Sequence, residues 1–359
     1  MGWRHLPSIF TRKSLNRIIL LYVCCGGLVL VTSLLGLFYS SVTIPMKDIV
    51  HILLEKSVGL GLGLEIEKQV AMIIWEIRLP RVILAGIVGA SLALAGAAFQ
   101  GLLRNPLADP YTIGVSSGAA LGAVAVIFFQ ITLVGLQGFT LPLFSIAGGF
   151  FTLLLVYSLT RLSGRGMAVQ TIILAGIIIS SFVGAFISLI IALSGTELRQ
   201  IIYWIMGSVG MRGWSYVGLV LPFFLLGAIV IIWHYRELNT LALGEEAARH
   251  VGVNVNRKKI YILIGASLLT GGAVAVSGMI GFVGLVVPHL VRLVIGPNHK
   301  HVLPLSVLVG SSFLILADLL SRTIIAPQEL PIGVITALIG APVFAYLLIR
   351  NRSGRRVRM

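Results

Sequence analysis

The chain has 359 residues, 57% hydrophobic and only 11% charged, with a formal net charge of +15. A soluble domain carries about 25% charged residues, so this composition excludes a soluble enzyme or binding module. It reads as an all-α polytopic membrane protein with one transmembrane domain over residues 1–359, and the adjacent Cys24 and Cys25 exclude a disulfide framework or metal-site spacing.

Ten apolar segments are expected to span the membrane, at residues 18–38, 83–103, 112–133, 141–161, 171–194, 214–234, 260–279, 281–296, 302–321 and 331–349. The first is too long for a secretory signal, and no small-residue cleavage site follows it. After it, TIPMKDIVHILLEK reads as a short amphipathic helix, and IWEIRLPR places Arg78 and Arg81 at the mouth of span two. Ala85, Gly89, Ala93 and Ala97 recur at every fourth residue of span two. Gly114, Gly118 and Gly122 do the same in span three. Small residues on one stripe let helix backbones touch in lipid, so these predict tight packing rather than a ligand site.

Between these spans lies the RNPLADP turn, Arg104 to Pro110, and SGRGMAVQ turns the chain after span four. ELRQIIYWIMGSVG after span five is amphipathic, with Tyr203 and Trp204 suited to the outer interface. Beyond span seven, Gly278, Gly281, Gly284 and Pro288 predict an interrupted helix, since all four weaken helical structure. His289 there reads as capped by local backbone rather than as a ligand group.

A weak internal repeat aligns Ala93, Gly96, Leu103 and Pro106 with Ala275, Gly278, Leu285 and Pro288 at an offset of 182. That offset crosses an odd number of spans, so the copies would be inverted, as in many transporters. With the N-terminus in the cytoplasm, 19 of the 27 Lys and Arg fall inside with 4 of the 12 acids, leaving 8 of each outside. This bias follows the positive-inside rule and predicts that both termini are cytoplasmic, including Arg350, Arg352, Arg355, Arg356 and Arg358. The basic charge is a topology and anionic-lipid signal, not one for nucleic acid.

The polar stretch from Arg236 to Lys259 (the coupling loop, about 236–259) interrupts the second half. Glu245 and Glu246 open a short helical pattern, Arg249 and His250 close it, and Gly252 follows. The macrodipole and the C-terminal glycine preference ask for this order. Ala247, Ala248 and Val251 would form an apolar face about two turns long, too short to stand alone in water. The flanking spans cannot easily cover it. The pattern therefore predicts a coupling helix that inserts into a separate subunit, against the alternative of an ordinary basic loop with one helical turn.

No G-x-x-x-x-G-K-[ST] loop, H-E-x-x-H or G-x-S-x-G motif is present, so the chain is expected neither to power itself nor to act as an enzyme, and no cofactor is called for. The span interiors lack a carboxylate pair, which weighs against an ion-coupled carrier. Arg78, Arg81 and Arg322 sit at the outer rim. They either snorkel toward headgroups or form a positive landing site for an acidic external protein.

The motifs RLPR, AGAAFQGLLRNPLADP, YWIMGS, LALGEEAARHVGV, GFVGLVVPHLVR, LAD and ELPIGVITALIGAPVF, spread over nearly the whole chain, resemble the permease family of bacterial ABC importers for ferric siderophores, haem and cobalamin (type II importer permeases). The resemblance implies ten spans, a homodimer or a heterodimer with a paralogous permease, cytoplasmic ATPase subunits and an extracytoplasmic substrate-binding protein in a bacterial inner membrane. It implies ATPase coupling at Leu243, Gly244, Glu245, Glu246, Ala247, Ala248, Arg249 and Gly252. Arg78, Arg81 and Arg322 match docking positions for the binding protein, and Asn105 and Leu107 match an inner gate. Met167, Ala168 and Val169 match a second gate element, though they differ from the small polar residues expected there. The expected cargo is a ferric siderophore, with cobalamin or haem as the alternative and a proton-coupled exporter as the reading from outside the family.

Overall fold

The computed structural model describes residues 12–39, 44–58, 67–136, 138–164 and 167–356. Helix α1 (Arg12–Phe38) is followed by the amphipathic α2 (Met46–Val58). Short α3 (Lys68–Met72), a π-helical turn (Ile73–Arg78) and α4 (Leu79–Leu102) run on as one continuous helix from Lys68 to Leu102. The second apolar span therefore starts earlier than residue 83, because the polar ends of IWEIRLPR do not break helical hydrogen bonding. Then come α5 (Val115–Phe128), α6 (Thr140–Leu162), α7 (Val169–Leu193), the short α8 (Leu198–Ile205) and α9 (Gly213–Trp233). Helices α10 (Tyr235–Ala242) and α11 (Glu245–His250) precede α12 (Val255–Ser277), α13 (Val283–Ile295), α14 (His299–Thr323) and α15 (Ile332–Arg356).

Among the described residues, seven helices are long and apolar enough to cross a membrane, and α5, α13 and α15 are shorter apolar helices. The chain is thus a multi-pass helical membrane protein. Its centre is built from α4 and α12, whose apolar windows are 83% and 78% buried, whereas that of α1 is 6% buried at the periphery.

Small residues decide how α4 packs. Ala85, Ala93 and Ala97 are fully buried, and a Cβ on Gly89 would collide with the backbone of Gly310 on α14. Gly118 and Gly122 of α5 meet the backbone of α6 at Gly148 and Phe144 in the same way. Gly114 does not share that stripe: its φ of +91° turns the chain ahead of α5.

The interruption expected after span seven lies at Gly278–Phe282, where Gly278 and Phe282 have φ of +71° and +68°. Gly284 and Pro288 instead lie within α13. A second interruption, between α4 and α5, holds a 3-10 turn at Pro110–Ile113. The two breaks meet: Ile280 N donates to Tyr111 Oη at 2.6 Å, and Gly284 packs on Pro110 and against Gly96. Beyond α4 and α12 the halves repeat as a short helix and two long ones, with lengths of 24, 14, 23 and 25 residues against 23, 13, 25 and 25. The register differs from the sequence match, since α4 ends at Leu102 and α12 at Ser277, 175 residues later rather than 182. Leu103 and Pro106 lie in a turn, whereas Leu285 and Pro288 are helical.

Candidate functional site

The polar stretch after α9 forms two helices rather than one. Helix α10 buries Leu238 and Leu241 against the spans. Gly244, with φ of +124°, then breaks the chain, and α11 carries Glu245 and Glu246 in its first turn and Arg249 and His250 in its last. Gly252, with φ of +84°, closes it, its N–H donating to Arg249 O while Val253 N donates to Ala248 O.

The expected apolar face is divided. Ala248 is fully buried against its own chain, so α11 does have an intramolecular surface, which corrects the expectation of a helix with nothing of its own to pack on. Ala247 is exposed, and so are Leu243 and Val251, at 76% and 69% of their surface. Glu246, Arg249 and Gly252 are also exposed, whereas Gly244 and Glu245 are half-buried.

Two adjacent lysines fasten this loop to α12. Lys258 Nζ lies 2.6 Å from Glu237 Oε1 on α10, and Lys259 Nζ lies 2.6 Å from Glu245 Oε1 on α11. The Lys259 side chain is wholly buried and also donates to Met167 O at 2.5 Å. Sequence reasoning passed over both lysines as ordinary loop charge. Their pairing with Glu237 and Glu245 is set by how α10 and α11 fold back, which no local spacing displays.

The first turn matched to a gate is held locally. Asn105 Oδ1 accepts from Leu107 N at 2.9 Å, Asn105 N donates to Gln100 O, and Leu107 is exposed. A cavity of about 310 Å³ lies beside it, lined by Arg104, Asn105, Arg292 and His299 together with Ala242 of α10, so this turn and the coupling loop share a boundary. Asp109 closes the turn by accepting from Tyr111 N at 3.0 Å; burial pushes its carboxyl up to about 6 against the opposing effect of that bond. In the second turn, Met167 is buried, Ala168 precedes α7 with extended backbone, and Val169 begins the helix.

The three rim arginines come together at the other end of α4, but they face inward. Arg78 donates to Leu37 O at 2.8 Å, and Arg322 donates to Gly36 O at 2.5 Å, so both hold the last carbonyls of α1. Arg81 pairs with Asp318 at 2.9 Å and Glu329 at 2.8 Å, and Arg322 pairs with Asp318 at 3.5 Å. The hydrogen bond from Arg81 holds the Glu329 carboxyl below its usual range. Asp318 and Glu329 are the anionic half of this cluster. Tyr203 is exposed as an interfacial residue would be, whereas Trp204 is buried. His289 is not capped as expected: its Nε2 has no hydrogen-bond partner and its ring meets Phe344 edge-on.

The model of the FecCD transport family matches residues 28–350. The uncharacterized ABC transporter permease protein YvrB of Bacillus subtilis is 53% identical, over 98% of this chain and 99% of that protein. The cobalamin import system permease protein BtuC of Halobacterium salinarum is 45% identical, over 79% and 75%. A structure described as an inward-facing conformation of a metal-chelate type ABC transporter superposes with a TM-score of 0.78 at 33% identity, covering 93% of this chain and 98% of that one.

Proposed function

The chain belongs to the FecCD transport family, and we propose that it is the permease subunit of an ABC importer carrying a metal-chelate nutrient across the bacterial cytoplasmic membrane. The observation that carries this reading is α11. It is a six-residue helix held to its own chain at Ala248 and Glu245, with Leu243, Ala247 and Val251 turned outward. A separate cytoplasmic ATPase subunit is the partner that such a small, exposed, dipole-matched helix fits.

In this reading two permease chains, either identical or paralogous, surround a shared pathway, and two ATPases act on the two coupling loops. Asn105 with Leu107 and Met167 to Val169 form the inner gates. An extracytoplasmic binding protein docks at the opposite end. Because Arg78 and Arg322 are committed to the α1 carbonyls, we assign docking chiefly to Arg81, whose outer partner Glu329 is 37% exposed and exchangeable for an acid on the incoming protein.

For the cargo, a ferric siderophore is the first reading. Cobalamin or haem is the second, and the similarity to a cobalamin permease over most of both chains supports a corrinoid there. The test is reconstitution in liposomes with the cognate ATPase and binding protein. ATP inside should drive import of a ferric siderophore with the proton gradient collapsed, and labelled cyanocobalamin in its place identifies the second reading. Import abolished by an ionophore at constant ATP would return the proton-coupled alternative.

A further inference from the structure

Lys259 joins three separate parts of the chain at one ammonium group. It stands on the first turns of α12, its Nζ reaches Glu245 Oε1 at the start of α11 at 2.6 Å, and it reaches Met167 O, two residues before α7, at 2.5 Å. Lysine is almost never fully buried unless paired, and here its side chain has no exposure at all. Its two partners are the first residue of the proposed ATPase-docking helix and the turn that leads into a long, mostly unburied helix.

The turn is bound to α11 through Lys259, and Met167 also lines an apolar cavity of about 180 Å³ with Ile172, Ile113, Tyr157 and Ile260. Lys258 provides the contrast within the same loop: it pairs with Glu237 on α10, is partly exposed, and has no bond to the turn.

We propose that Lys259 is the positioning residue through which movement of α11 displaces the Met167–Val169 turn and the start of α7. This rests on the reading of α11 as the ATPase-docking helix. An ATPase drawn against α11 moves Glu245. The ammonium follows the carboxylate, and Met167 O is carried with it.

The test uses the full complex of permease, ATPase and binding protein in liposomes. Lys259→Met keeps the length of the side chain but removes the charge and the donors. The ATPase should still co-purify and hydrolyse ATP, while cargo imported per ATP falls about fivefold or more, the low end of coupling between sites. Lys258→Met should import as the wild type does. Import per ATP at the wild-type level in Lys259→Met overturns the proposal. If the ATPase fails to co-purify even with the unaltered chain, the docking reading itself fails, which is a distinguishable result.

A second measurement does not depend on the folding of that variant. Spin labels at Gln170→Cys, in the first turn of α7, and His250→Cys, both exposed sites, are placed in a Cys24→Ser, Cys25→Ser background. Their separation should stay within about 2 Å between the resting and the vanadate-trapped complex, because turn and helix move as one body. A change approaching one helical turn, about 5.4 Å, would show that they move independently and would overturn the proposal.

Discussion

Replacing Asp318 tests whether the arginine cluster is the structural clamp that its geometry describes. Its carboxylate is 1% exposed and is the shared counter-charge for Arg81 at 2.9 Å and Arg322 at 3.5 Å. Asp318→Asn leaves the size nearly unchanged but removes the carboxylate that forms the ion pair with Arg322, whose side chain is 4% exposed. Breaking a buried pair by removing one partner costs about 3–5 kcal/mol, because the remaining charge is stranded away from water. Glu329 is the internal control, for it pairs with the same Arg81 from a site 37% exposed, where an ion pair is worth about 0–1 kcal/mol. Unfolding of the purified chain in mixed micelles should therefore show a large loss for Asp318→Asn and a small one for Glu329→Gln. Adding Arg322→Met to Asp318→Asn should recover part of the loss, since the stranded guanidinium goes with it. Equal effects of the two single variants, or an unchanged midpoint for Asp318→Asn, would refute the reasoning.

Three further outcomes are expected. Gly96→Leu should abolish a monodisperse, folded protein in size-exclusion chromatography, because any Cβ there meets the Gly284 backbone rather than a flexible side chain; Gly26→Leu, which has open space, should be neutral. Asp109→Asn should stabilise the protein at pH 7.5 by about 1–2 kcal/mol, a discounted reading of its raised carboxyl. Since the folded value is raised to about 6, the wild-type contribution is present below the ordinary carboxylate range and lost as pH rises through 6, so thermal midpoints of the two proteins should converge near pH 4. Ala247→Trp should block ATPase co-purification while the permease stays folded, whereas Ala248→Trp should destabilise the permease itself because Ala248 is fully buried; wild-type co-purification with Ala247→Trp would refute docking at α11.

Much of the architecture was legible because it depends on local pattern. Runs of apolar residues set the long helices, and the spacing of Gly89 and Ala93 marked the face of α4 that touches α14. The break at Gly278 followed from glycine's backbone freedom. What stayed hidden depends on partners far apart in the chain. Asp318 finds Arg81 across 237 residues, Lys259 finds Met167 across 92, and Ile280 finds Tyr111 across 169. No periodicity encodes such meetings. The 182-residue repeat misled in register for a related reason: it compared small residues that serve different ends, since Gly96 is a crossing point and Gly278 a turn.

Where helices meet backbone to backbone also constrains the movement. Helix α4 is closely packed on α13 and α14 through glycine contacts of this kind. The two interruptions, bound through Tyr111 and Ile280, lie within this closely packed region. Helix α7 meets that region at one such point, where a Cβ on Gly176 would collide with the backbone of Thr112 and Ile113, and 22% of its apolar window is buried within the chain. The coupling loop touches both regions, through Ala242 beside the Asn105 turn and through Glu245 and Lys259 at Met167. A force applied at α11 therefore reaches the frame beside Ala242 and the start of α7 through Lys259. The displacement is expected at α7, with α4 and α12 serving as the frame against which it moves.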